Sequence, residues 1–137
     1  MIGLVIATHG NFGQELLVSV QMIIGPVRNA RAVAINQELG LEEIRDAISS
    51  AVAEVGGDGH GVLVATDMFG GTPCNVSLAL VATGQVDVLA GVNLPMLLKF
   101  FNSQESVTLA ELTKILASYG RQSIVQASDY LQNGSAQ

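Results

Sequence analysis

The stretch LVIATHGNFG, residues 4–13, decides the fold. Leu4, Val5, Ile6, Ala7 and Thr8 follow one another with no polar alternation, the pattern of a strand covered on both faces. Extended back to Ile2, the run ends at His9. Gly10, Asn11 and Gly13 then supply turn residues before a second pattern begins. Leu16, Leu17, Val20 and Ile24 fall on one face of a helix that Asn11 is placed to cap. A buried strand feeding an amphipathic helix is the first half of a parallel βαβ unit.

Outward from there the alternation repeats. Gly25-Pro26 stops the helix, and residues 32–35 read as a second strand. Leu41, Ile44, Ile48, Val52 and Val55 recur at helical spacing until Gly56-Gly57. Residues 62–66 give a third strand, 73–82 a helix and 86–91 a fourth strand. Helices follow near 94–101 and over 109–119, the latter with Thr108 as its cap and Gly120 at its C′ position. Residues 123–127 read as a short last strand. The expected fold is α/β: an open, mainly parallel, doubly wound sheet of order 2-1-3-4-5. Residues 1–131 form one domain and 132–137 a frayed tail.

Composition narrows the function. The hydrophobic fraction of 49% and charged fraction of 13% exclude general disorder. The net charge of -6, with 6 lysines and arginines against 12 acidic residues, argues against nucleic acid and against an anionic membrane surface as partners. One cysteine, Cys74, rules out an internal disulfide and suits a reducing cytosol. No apolar run is long enough to span a bilayer, and no basic segment precedes the first one.

In open parallel sheets, ligands bind outside the carboxyl ends of the strands, at the point where the strand order reverses. With order 2-1-3-4-5 that point lies between the first and third strands. His9 leaves the first strand, and VATDMFGGTPCN, residues 64–75, brings Asp67 off the third. AGVNLPML, residues 90–97, puts Asn93 and Pro95 on the same rim. A carboxylate accepting the Nδ1 proton of a histidine fixes its tautomer and leaves Nε2 as nucleophile or base. Gly70-Gly71-Thr72-Pro73 reads as a glycine turn opening a helix, with Thr72 at the N-cap and Pro73 at N1. Its backbone N–H groups suit an anion. These are the parts of a phosphohistidine site. Singly, each has a plainer reading: a loop histidine, turn glycines, an aspartate capping a turn. Phe12, Met68, Phe69 and Met96 flank the site as an apolar docking rim, with core packing as the alternative. His60, in GGDGHG, reads as a solvated loop residue.

Other chemistries lack their letters. GGTPCN has no lysine for a P-loop, and no G-x-G-x-x-G follows the first strand. A nucleophile elbow is absent. Two histidines and one cysteine do not readily supply zinc, so no metal is expected. A cysteine phosphatase needs an arginine where Leu80 stands, so Cys74 reads as a small buried residue.

The segments ATHGNFG, DMFGGTPCN and AGVNLPML, in this order and spacing, resemble the enzyme IIA component of the mannose family of the bacterial phosphoenolpyruvate-dependent sugar phosphotransferase system. The likeness runs from Ile2 to about Ala127. It implies a cytoplasmic phosphotransferase component without a cofactor, acting through a phosphohistidine. His9 would accept the phosphoryl group from the histidine-containing phosphocarrier protein and pass it to a separate enzyme IIB. Asp67 would orient the imidazole, Thr72 would offer a hydroxyl near the phosphoryl oxygens, and Gly70 and Gly71 would form the phosphate-binding loop. The resemblance also implies a homodimer with an antiparallel C-terminal strand exchanged between subunits. Pairing an edge strand with a second copy would hide its exposed backbone groups, whereas periodicity alone favours the strand folded back on its own sheet. Contact with the membrane would come only through permease subunits, and a IIA component does not touch the sugar. Cys74 departs from the family by standing where an aromatic is expected. The alternatives are the related phosphocarrier subunit of dihydroxyacetone kinase and a non-catalytic regulatory module of the same fold.

Overall fold

The computed structural model describes residues 1–134. In chain order the elements are β1 (Gly3–His9), α1 (Phe12–Ile24), β2 (Ala30–Ile35), α2 (Leu41–Val55) and β3 (Val62–Thr66). There follow α3 (Thr72–Leu78), a 3₁₀ turn at Val81–Thr83, β4 (Val86–Ala90), α4 (Leu94–Ser103), α5 (Leu109–Gln122) and α6 (Ala127–Asn133). The sheet is parallel throughout, in the order β2-β1-β3-β4.

Period-2 geometry divides the central strands between two cores. Leu4 and Ile6 of β1 join Leu63 and Ala65 of β3 beneath α1, α4 and α5, where Leu17, Val20, Leu97, Phe100, Leu112 and Leu116 complete the layer. Val5 and Ala7 join Val62 and Val64 beneath α2 and α3, against Ile44, Ile48, Val55 and Val76. Both faces are therefore dry, which is why these strands read as continuous apolar runs. The same alternation sends Thr8 toward α1 and His9 toward α2 and α3. Among the described residues, no helix is long and apolar enough to cross a membrane.

Several expectations need correction. Among the described residues the sheet has four strands and no fifth. Arg121 and Gln122 complete α5, residues 124–126 have no regular structure, and Ala127 begins α6. Gly120 does not stop α5, because it serves packing: a Cβ there would lie 2.9 Å from Met96 Cε. Residues 127–133 are locally suited to helix, with Asp129 in the first turn and Gly134 as a left-handed C-cap at φ 73°. Of the residues expected as a tail from 132, Gln132 and Asn133 close α6, and 135–137 lie outside the described residues. The helix expected over 73–82 is broken into α3 and the 3₁₀ turn. Thr108 caps α5 as expected, accepting the Glu111 N–H at 3.2 Å.

Candidate functional site

β1 ends at His9, held between Ile35 at the end of β2 and the loop that follows β3. The His9 ring Nδ1 lies 2.7 Å from Asp67 Oδ2, and the His9 backbone N–H donates to the same oxygen at 3.0 Å. An ionised carboxylate only accepts hydrogen bonds, so Nδ1 carries a proton, and in the neutral ring the lone pair is left on Nε2. The other carboxylate oxygen, Oδ1, takes the Met68 N–H at 3.1 Å. Asp67 is thus fixed through both oxygens. Its side chain is 16% exposed, against 53% for His9, so the carboxylate forms the inner wall and the imidazole faces outward. Burial pushes the Asp67 pKa up. The hydrogen bonds from the His9 ring and backbone, together with the charge of the imidazolium, outweigh burial and hold it below the ordinary 3.8.

The strand ends are tied together so that this pair keeps its register. Thr66 O accepts the N–H groups of Gly91 at 2.9 Å and Val92 at 3.0 Å, locking the end of β3 to that of β4. Gly10 N–H donates to Ile35 O at 2.7 Å, locking the turn after His9 to β2.

Gly71 approaches the imidazole closely. A Cβ on it would sit 3.0 Å from His9 Cε1 and 3.7 Å from Nε2. Gly70 is in the left-handed region at φ 86°, and Asn75 Nδ2 donates to its carbonyl at 3.2 Å, folding the loop back on α3. Gly71, extended at φ -82° and ψ 167°, is the N-cap of α3. The helix therefore starts one residue earlier than expected, with Thr72 as its first residue rather than its cap. Thr72 is exposed and lines a cleft of about 540 Å³ together with His9, Gly10, Asn36, Gln37 and Leu39.

The structure brings together His9, Asp67, Gly71 and Thr72, with Gly70 beside them. Phe12, Met68 and Phe69 are 48%, 54% and 78% exposed on the flanking loops. Met96 is not part of that rim. It is 4% exposed and fills the seam between α4 and α5 opposite Gly120. Asn93 is likewise used in the scaffold: it accepts the Met96 N–H at 3.0 Å and donates to Gly120 O at 3.0 Å. Asn11 makes no side-chain cap on α1. Cys74 is buried. His60 is exposed, beside Asp58 and the Met1 amino group. Asn36, Gln37 and Leu39, from the loop after β2, were missed by sequence reasoning. Their signal was the strand order itself, which places the end of β2 next to that of β1.

Residues 3–116 match the family model described as PTS system fructose IIA component. The PTS system fructose-specific EIIA component of Bacillus subtilis (strain 168) is 34% identical over 133 residues, covering 96% of this chain and 90% of that protein. The PTS system sorbose-specific EIIA component of Lacticaseibacillus casei is 32% identical over 114 residues, covering 82% and 81%. Among solved structures, phosphotransferase system component EIIA from Streptococcus agalactiae superposes with a TM-score of 0.86 at 30% identity, covering 94% of this chain and 99% of that one.

Proposed function

The chain belongs to the family of PTS fructose IIA components, and from that premise we propose that it is a phosphoryl carrier whose acceptor atom is His9 Nε2. The observation that carries this reading is the 2.7 Å contact of Nδ1 with Asp67, which commits the ring to the tautomer with a nucleophilic Nε2. In the forward step Nε2 attacks the phosphorus of a phosphohistidine on the histidine-containing phosphocarrier protein. A new N–P bond forms and the donor's N–P bond breaks. The electron pair returns to the donor's ring nitrogen. No proton need leave His9, because the positive charge gained by its ring is met by the Asp67 carboxylate. Thr72 and the Gly70-Gly71 loop stand where the phosphoryl oxygens would come to rest. The reverse geometry then serves a separate enzyme IIB as acceptor. The relatives named for fructose and sorbose favour a sugar permease as the destination over dihydroxyacetone kinase. The carrier acts in the cytoplasm and meets the membrane only through permease subunits. The test is transfer of label from phosphoenolpyruvate through the donor proteins, with the labelled residue identified; label absent from His9 would defeat the proposal.

Docking of the donor uses the exposed apolar side chains around the site. Exposed aromatics of this kind are strong anchors in protein interfaces. Phe69→Glu should raise the donor's KM about tenfold or more. The maximal rate and the melting temperature should stay near wild type, since Phe69 is largely in solvent. A donor KM equal to that of wild type would remove Phe69 from the interface.

A homodimer completes the proposal. Ile124 and Leu131 are 80% and 82% exposed in the single chain, and Val125 is about half exposed. Exchange of this C-terminal segment onto a second copy would cover them. Truncation after Ser123 should convert a dimer to a monomer by mass in solution while sparing the sheet. Full-length protein at monomer mass over micromolar concentrations would refute dimerisation, and a dimer that survives truncation would refute exchange.

A further inference from the structure

Thr8 is the last residue of β1 that faces α1, in line with Leu4 and Ile6. It is fully buried, and in that aliphatic row a valine would fill the same space. A buried hydroxyl is retained at no cost only if it is hydrogen-bonded. Thr8 Oγ1 accepts the Gly13 N–H at 2.9 Å and lies 3.4 Å from the Gly10 carbonyl oxygen. Gly13 is in the first turn of α1, whose amides have no intrahelical acceptor. Asn11, the residue at the cap position, does not supply one. The cap of α1 therefore comes from the strand before it.

This contact closes a short loop. Thr8 holds one end, Gly13 the other, and His9 through Phe12 lie between. The closure is tight: a Cβ on Gly13 would stand 3.0 Å from Ile6 Cγ2 and 3.3 Å from Thr8 Oγ1. His9 is the first residue of that loop, so its backbone direction depends on the closure. Asp67 holds the His9 ring and backbone N–H from one side, and the Thr8 clasp holds the chain leaving it from the other.

We propose that the Thr8 hydroxyl is a positioning group for phosphoryl transfer: by capping α1 from the end of β1, it fixes the loop that aims His9 Nε2. The proposal rests on the reading of His9 as the phosphoryl acceptor. A misaligned nucleophile lowers the rate of the chemical step while partner docking persists. The experiment compares Thr8→Val, which keeps the shape and loses the hydroxyl, with Thr8→Ser, which keeps the hydroxyl and loses the methyl.

Single-turnover phosphorylation of His9 by the donor should slow at least tenfold in Thr8→Val, with the donor's KM within about twofold of wild type. Thr8→Ser should return to within about threefold of wild type. A folded Thr8→Val that transfers at the wild-type rate overturns the proposal, even if it melts earlier, because the hydroxyl would then serve stability alone. Equally slow Ser and Val variants also overturn it, since the methyl would be the active part. If Thr8→Val does not fold, Thr8→Ala takes its place beside Thr8→Ser under the same criteria. Hydrogen exchange on the wild-type protein is an independent check: a Gly13 amide that exchanges as fast as a free peptide overturns the clasp whatever the variants do. Wild-type protein that takes no label at His9 defeats the carrier reading. Label at His9 with no effect of Thr8 defeats only the positioning role.

Discussion

Replacing His9 with alanine should leave a folded protein that takes up no phosphoryl group from the donor. The fold should tolerate the change, because the imidazole is 53% exposed and stands at the end of β1, outside both cores. The backbone N–H at position 9 would still bond Asp67 Oδ2, so the carboxylate would keep one of its two tethers to β1. The chemistry does not tolerate it: among the described residues no other imidazole lines this cleft for an N–P bond to form on. His60, the second histidine of the chain, lies beside Asp58 and the Met1 amino group, at the end of the chain segment that enters β3 rather than the one that leaves it. His60→Ala should therefore label as wild type does. The label on the wild type should survive base and be lost in acid, as a phosphoramidate is. Mass spectrometry of both variants checks the assignment. Label retained by His9→Ala would move the acceptor elsewhere and with it the whole mechanism.

The core of this site was legible because parallel sheets write their topology in one dimension. A continuous apolar strand ending at a polar residue marks a rim position, and strand alternation says which rims are neighbours. The sequence alone pairs His9 with Asp67, because the expected strand order puts β1 beside β3, as the sheet has it. The misreadings share a different origin. Met96 and Gly120 stand one above the other in a helix–helix seam, and a seam is fixed by tertiary approach, which neither residue announces alone. Asn11 has the chemistry of a cap, yet Thr8 reaches the Gly13 amide first from the strand side. Thr72 and Gly71 exchanged roles because the extended backbone of the cap fell on the residue that also had to clear the His9 ring. The segment after α5 carries β-branched residues at 124 and 125, which favour a strand locally, but in the single chain it pairs with neither edge of the sheet: α5 continues to Gln122, residues 124–126 are irregular and α6 starts at Ala127.

Asp67→Asn should slow transfer to His9 by about a hundredfold or more while the protein stays folded. The substitution is nearly isosteric, so the loop geometry has little reason to change. Its effect is electronic in two ways. An amide carries no charge to set against the imidazolium that forms as Nε2 bonds phosphorus. It also removes the fixed tautomer: a carboxylate can only accept from Nδ1, whereas an amide can turn its NH₂ toward the ring, make Nδ1 the acceptor and place the proton on Nε2. A ring in that state has no lone pair where the phosphorus arrives. The donor's KM should change less than the rate constant, because Asp67 lies behind the imidazole and is largely shielded from the incoming partner. Acidity supplies a second reading of the same contact. The folded pKa of Asp67 lies below the ordinary 3.8. The stability its carboxylate adds is thus complete above that ordinary value and is lost as pH falls through the folded one. The difference in melting temperature between wild type and Asp67→Asn should accordingly shrink on acidification, since the protonated acid and the amide are alike in charge. Stopped-flow or quenched transfer kinetics and melting curves across the acid range check both halves. A variant that transfers at the wild-type rate would release Asp67 from any part in the chemistry. A melting difference that grows as pH falls through the folded pKa of Asp67 would contradict the hydrogen-bonded carboxylate from which the proposed mechanism starts.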